Sequence, residues 1–263
     1  MHALVHSIHP GYSLSGLVVG LLVGLTGVGG GALMTPLLVL LFGIRATTAV
    51  GTDLLYACVT KTVGTAVHGF SGTVEWRIVR RLASGSVPAT ALTLIVLSRY
   101  QDRLGNSSKL ITTVLGFALI LTAISIVFRK WILNALAGAA AKLSSRGTTL
   151  LTVALGAVLG VLVSLSSVGA GAIGVTFLLI LYPKLPASKL VGSDIAHAVP
   201  LTLIAGIGHW FLGSIDGVLL VSLLVGSIPG VIVGSYISSR IPDKVLRPVL
   251  ASTLAVVGAR LSF

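Results

Sequence analysis

The sequence predicts an all-α integral membrane protein: a duplicated helical bundle of inverted repeats, with a glycine-broken helix pair in each half. Composition is the first observation. Hydrophobic residues make up 55% of the 263, charged residues 9%, and the mean hydropathy is +1.06, values that exclude an ordinary soluble domain. The second is segment length, because several apolar stretches reach the roughly 20 residues that a helix needs to cross the hydrocarbon core. The third is self-similarity. AVGTDLLYA at 49–57 returns as LVGSDIAHA at 190–198, His68 as His209, GTVE at 72–75 as GSID at 213–216, and GSVP at 85–88 as GSIP at 226–229, all at one offset of 141 residues. Shared register marks a duplication.

The apolar stretches run through 13–28, 32–43, 46–70, 82–98, 110–128, 148–169, 172–182, 190–213, 217–237 and 245–262. Short alternating strands, which a β-barrel needs, are absent. Each half therefore reads as five pieces in one order: residues 1–128 form the first repeat, 129–147 a connecting segment and 148–263 the second repeat. The first two pieces, 13–28 and 32–43, are short and are separated by Gly29, Gly30 and Gly31. Three successive glycines favour a break in a helix. The matching pair is interrupted by Gly169 and Gly171, where SVGAGA at 167–172 repeats GVGGGA at 27–32 one residue out of register. The third piece carries polar residues, the fourth a proline (Pro88, Pro229), and the fifth is plainly apolar. Arg129 to Arg146 has cations at both ends and one Trp, as an interfacial connecting helix does.

The net charge of +12 does not indicate nucleic acid, because nearly all the cations lie in loops between apolar pieces. There they serve topology and contact with anionic lipid headgroups. No Lys or Arg precedes the first apolar piece, so that piece is expected to stay in the chain rather than act as a signal peptide. If each broken pair makes an even number of crossings, one side of the membrane collects twelve cations and the other five, with Lys61 inside a span. That excess is what the positive-inside rule expects, and it favours inverted repeats with both termini outside. An eight-span arrangement, with an even split of charge, is the alternative. The single cysteine, Cys58, lies inside an apolar piece, so neither an intrachain disulfide nor a cysteine metal cluster is expected.

Asp53 and Asp194 occupy matched positions in the third pieces, preceded by Thr52 and Ser193. An ionised carboxylate near the bilayer centre costs about 2.5–3.5 kcal/mol on insertion scales unless paired, hydrated or protonated, so both are expected to face the bundle interior. Each either braces a neighbouring broken helix or takes part in a site. Lys61 follows Asp53 by eight residues and precedes His68 by seven, placing all three on one helical face. Its repeat equivalent is Thr202, so Lys61 either neutralises Asp53 or holds an anionic substrate. His68 and His209 sit near the ends of their spans. They are suited to proton exchange or to hydrogen bonding at the membrane interface. Tyr56 and His197 lie one turn after the aspartates and add polar groups to the same region. A helix that restarts after a glycine break presents free N–H groups and its positive dipole end, which form an anion site without side-chain charge. By contrast, the four-residue spacing of Gly16, Gly20 and Gly24, and of Gly226, Gly230 and Gly234, is that of tight helix packing.

The ordered set GLTGVGGGALMTPLL (24–38), AVGTDLL (49–55), His68, GTVEW (72–76) and GSVPA (85–89) resembles the TauE/SafE sulfite exporter family, also called the toluene sulfonate uptake permease family. The resemblance implies a multi-span secondary carrier in a bacterial or archaeal plasma membrane, moving sulfite, sulfonates or related organosulfur anions, often outward. The second half carries Ala170 and Thr176 where the first has Gly30 and Pro36.

These readings combine into one expectation: alternating access around a site between the broken segments. The anion would be held by N–H groups near Gly29, Gly30 and Gly31 and near Gly169 and Gly171, with Thr52, Ser193 and Lys61. Asp53, Asp194, His68, His209, Tyr56 and His197 would organise the site or couple it to protons. No cofactor, metal or nucleic acid is expected; the partners are the lipid bilayer and a small sulfur-containing anion. A passive anion channel is the runner-up. No HExxH, GxSxG or metal-ligand set supports an enzyme.

Overall fold

A computed structural model describes residues 9–26, 31–70, 72–100, 107–141, 143–237, 256 and 258–261. Among them the regular elements are all helical. In chain order they are α1 (Pro10–Thr26), α2 (Gly31–Phe42), α3 (Ala46–Phe70), α4 (Trp76–Tyr100), α5 (Ser107–Val127), α6 (Arg129–Ala141), α7 (Ser145–Ser166), α8 (Ala172–Leu181), α9 (Ala187–Phe211) and α10 (Gly217–Ile237). These follow the apolar stretches closely. The fifth piece of the second half, 245–262, lies largely outside the described residues, as do Gly29 and Gly30.

Among the described residues five helices, α4, α5, α7, α9 and α10, are long and apolar enough to cross a membrane. With 25 residues α3 is as long, about 37 Å at 1.5 Å per residue, but it carries more polar groups. The 12-residue α2 and the 10-residue α8 reach only about 18 and 15 Å, half the hydrocarbon thickness. They are the second members of the two glycine-broken pairs. In the second pair, α7 ends on Ser167 in the left-handed conformation (φ 58°), and the chain turns through Gly169 (φ 125°) and Gly171 (φ 117°) before α8 begins. Backbone of that kind is tolerated at membrane depth where protein buries it. Residues 166–169 are indeed buried.

Packing is organised by small residues. Gly226, Gly230 and Gly234 of α10 lie against the backbone carbonyls of Ser13, Leu17 and Leu21 on α1, and Gly16 and Gly20 lie against Leu223 and Ser227. Partner numbers rise together, so α1 and α10 run parallel with their backbones nearly touching, as their four-residue glycine spacing predicts. The matched helices do the same: Gly85 of α4 meets Val153 of α7, and Gly156 and Gly160 meet Leu82 and Ser86. Between these two layers α3 crosses α9. Gly51 lies against His209, Gly206 against Leu55 and Gly64 against Ile195, so these two matched helices run antiparallel.

The core follows this plan. Val50, Leu54, Leu201 and Ala205 close the α3–α9 contact together with Ile111 of α5 and Val163 of α7. The α9 span is 67% buried, whereas that of α4 is 28% buried, which makes α9 a central helix and α4 a peripheral one. Leu41, Trp131, Leu150 and Phe211 are at least 70% exposed. On a membrane protein such side chains meet lipid. The connecting segment forms α6, which follows α5 after Phe128 alone, and Ser144 caps the start of α7 by accepting from the Gly147 N–H at 3.1 Å.

Candidate functional site

Both aspartates are buried against the N-terminal halves of the short helices. Thr35 of α2 donates a short hydrogen bond from Oγ1 to Asp53 Oδ2. Asp194 accepts from the backbone N–H of Gly171, and its Oδ1 is the atom nearest to where a Cβ on Gly174 would stand. Asp194 therefore sits at the positive end of a half-span helix, where the dipole and free N–H groups favour negative charge, while Asp53 meets α2 one turn in, through Thr35. At the second break this site, which the sequence suggested for a substrate anion, is partly filled by the protein's own carboxyl. Asp53 also lies beside Ser167 of the other half's break, so it stands between the two broken segments.

Lys61 is 7% exposed and senses both aspartates, Asp194 more strongly than Asp53. The antiparallel crossing explains this: numbers rise along α3 as they fall along α9, which carries Lys61 towards Asp194. Lys61 stops short of a direct ion pair with either. Among the described residues the ion pair formed is Lys189 with Glu75 at 3.7 Å.

Several buried polar atoms have no hydrogen-bond partner among the described residues: Asp53 Oδ1, Asp194 Oδ1 and His197 Nδ1 on residues that interact electrostatically with Lys61, Ser167 Oγ beside Asp53, and Tyr56 Oη and Ser227 Oγ, which face each other farther along α3. His197 is anchored through Nε2 to Ser86 Oγ at 2.8 Å. Its matched residue Tyr56 faces Ser227, the match of Ser86. Buried polar atoms are normally paired, and a group of unpaired ones beside an unpaired ammonium is the character of a polar ligand site. A surface groove of about 450 Å³ lined by Ser145, Arg146, Thr149, Leu150 and Val153 shares none of these residues.

The remaining sequence candidates have other surroundings. Thr52 Oγ1 accepts from the Asp216 backbone N–H at 3.1 Å. Ser193 Oγ accepts from the Glu75 N–H at 2.8 Å and donates to the Lys189 carbonyl at 2.6 Å. Both hold interhelical loops. His209 is fully buried, with Nε2 on the Ser164 carbonyl at 2.9 Å, so it supports the end of α7 just ahead of the break. His68 lies on α3; its side chain, with Gly29 and Gly30, falls outside the described residues. Gly31 opens α2.

Thr35, Ser86, Ser167 and Ser227 are site residues that sequence reasoning does not single out. Ser86 and Ser227 sit inside the repeated GSVP and GSIP, where the prolines are the more conspicuous residues. Recurrence of the serine at the same offset is the signal that could have found them.

Comparison with known proteins agrees with this architecture. A family model described as sulfite exporter TauE/SafE matches residues 12–261. The chain is 41% identical over 249 residues to the probable membrane transporter protein YjnA of Bacillus subtilis, covering 94% of this chain and 97% of that protein. It is 30% identical over 250 residues to the probable membrane transporter protein YdhB of the same organism, at the same coverage. No solved structure matches. The chain thus belongs to the TauE/SafE sulfite exporter family and is a multi-pass transporter of the plasma membrane rather than an enzyme.

Proposed function

We propose that the chain is a secondary carrier that moves small sulfur-containing anions, namely sulfite, sulfonates or related organosulfur compounds, outward by alternating access. The observation that carries this reading is the buried Lys61 between two carboxyls, Asp53 and Asp194, that keep an oxygen without a hydrogen-bond partner among the described residues and lie against the half-span helices. Lys61, Ser167, Tyr56 and the first-turn N–H groups of α2 and α8 supply the anion's contacts. Thr52 and Ser193 hold the loops that frame the site, and Asp53, Asp194 and His197 tune it.

Alternating access is supported by the way contacts exchange between the halves. Thr52 with Asp216 and Ser193 with Glu75 are one contact made twice, with the halves swapped. The antiparallel course of α3 and α9 fits a two-fold axis in the membrane plane, the axis of inverted repeats. A structure of that kind can open at either end by trading equivalent contacts.

Flux in proteoliposomes with sulfite, alkanesulfonates and sulfate, with and without a pH gradient, tests the proposal. Saturable flux of at least one sulfur anion is expected. Rapid flux that does not saturate would establish a channel instead, and no flux of any sulfur oxyanion would overturn the substrate class.

A further inference from the structure

Among the described residues three charged side chains are buried, namely Asp53, Lys61 and Asp194 at 0%, 7% and 1% exposure. All are in the membrane-spanning part of the bundle. Among the described residues the titratable groups near Lys61 come from two helices: Asp53 and Cys58 from α3 itself, and Asp194 and His197 from α9; Tyr56 of α3 lies beside Asp53. The residues that the other packed elements present to Asp53 and Tyr56 are uncharged: Thr35 of α2 and Ser167 after α7 beside Asp53, and Ser227 of α10 beside Tyr56. Lys61 is thus, among the described residues, the one buried cationic side chain available to a bound anion, and two carboxyls compete with the anion for it.

From this charge count we infer that the site is selective for singly charged anions, and that each enters with Asp53 and Asp194 both protonated. The inference rests on the carrier reading above. Net charge in a buried, low-dielectric site is costly. Lys61 and a monoanion cancel when both carboxyls are neutral. A dianion leaves one negative charge uncompensated even then, because no second buried cation is present among the described residues. A protonated carboxyl also suits an oxyanion chemically, since its O–H donates a hydrogen bond, whereas a carboxylate only accepts and repels. With both carboxyls neutral, their unpaired Oδ1 positions can carry the protons and act as donors, that of Asp53 beside Ser167 and that of Asp194 against the start of α8 at Gly174.

The consequence is a specificity rule. Sulfonates and hydrogen sulfite are substrates. Sulfate and the sulfite dianion are excluded, although they present the same oxygen geometry. Transport of a monoanion whose own charge does not change with pH strengthens as pH falls, because the protons belong to the protein.

The test compares methanesulfonate, a permanent monoanion, with sulfate, a dianion across the same range, as counterflow in proteoliposomes of the intact chain between pH 6 and 8. Methanesulfonate flux is expected to exceed sulfate flux by about tenfold or more, the ratio set by one uncompensated buried charge, and to rise towards pH 6. The Asp53→Asn/Asp194→Asn double variant is expected to transport methanesulfonate with that pH dependence flattened. Equal flux of the two anions, or an unchanged pH profile in a folded double variant, would overturn the inference while leaving the carrier reading intact. Absence of counterflow with any sulfur anion would instead overturn the carrier reading. The wild-type comparison requires no variant, so a double variant that fails to fold leaves the first arm decisive.

Discussion

Ser193 accepts a hydrogen bond from the backbone N–H of Glu75 at 2.8 Å, joining the middle of the second half to the α3–α4 loop of the first, and Thr52 does the same for Asp216 at 3.1 Å. These two bonds hold the tight loops that precede α4 and α10. Removing the hydroxyl in Thr52→Ala or Ser193→Ala leaves a half-buried N–H unpaired, a loss of about 1–2 kcal/mol each. Thr52→Ser is expected to be near neutral. Thermal unfolding in detergent reads the difference, and saturable flux should persist in whatever fraction remains folded.

Glycines divide by what surrounds them. A Cβ on Gly85 or Gly226 would lie closer than 3.0 Å to the carbonyl of Val153 or Ser13, so alanine there must push two parallel helices apart. The expected loss is about 1–3 kcal/mol or more. Gly217→Ala meets nothing within 4 Å and is expected to unfold with the wild type. Gly43→Ala also meets open space but has a φ of +64°, giving an intermediate loss of about 1 kcal/mol. Unfolding temperatures of the four variants in one detergent should be highest for Gly217→Ala, intermediate for Gly43→Ala and lowest for Gly85→Ala and Gly226→Ala.

Lys61 and Asp53 distinguish bracing from transport. If Lys61 only neutralised a carboxylate, removing both charges in Lys61→Met/Asp53→Asn would be mild. If Lys61 is the substrate's counter-ion, as proposed, it is indispensable. The double variant is therefore expected to reach the membrane and elute as a single species, yet lose sulfonate flux by at least about 100-fold, the scale of losing a buried charge partner. Near-wild-type flux in that variant would remove Lys61 from the binding site.

The Lys189–Glu75 ion pair is 40% and 35% exposed on its two side chains. Solvent and salt screen such a pair, so Glu75→Gln is expected to cost less than about 1 kcal/mol. The loop it decorates is held by the Glu75 backbone N–H, which this substitution keeps. A large loss of stability in Glu75→Gln at moderate ionic strength would contradict a loop held by its backbone.

Helix placement was legible because it is local. A run of apolar residues sets a helix by its length, and the offset of 141 exposed the duplicated plan without any tertiary information. Glycine spacing on α1 and α10 announced close packing, and the two helices prove to be each other's partners. The site was legible only by residue type. Asp53, Lys61, Asp194, Tyr56 and His197 stood out because polar groups are costly in an apolar span. The partners of Thr52 and Ser193 did not, because a side chain's sequence neighbours say nothing about which distant loop will face it.

Local pattern along the chain was enough for an all-α membrane protein in two similar halves, with buried acids and broken helices as the places to look. The tertiary structure decided which of those residues meet. Ser86 with His197, Ser193 with Glu75 and Thr52 with Asp216 are separated by 111, 118 and 164 residues. They are joined because α3 and α9 pack antiparallel between layers of parallel helices. Hydrophobic periodicity is read along the chain. Partner choice among buried polar groups depends on helix direction and close approach, which exist only once the bundle has assembled.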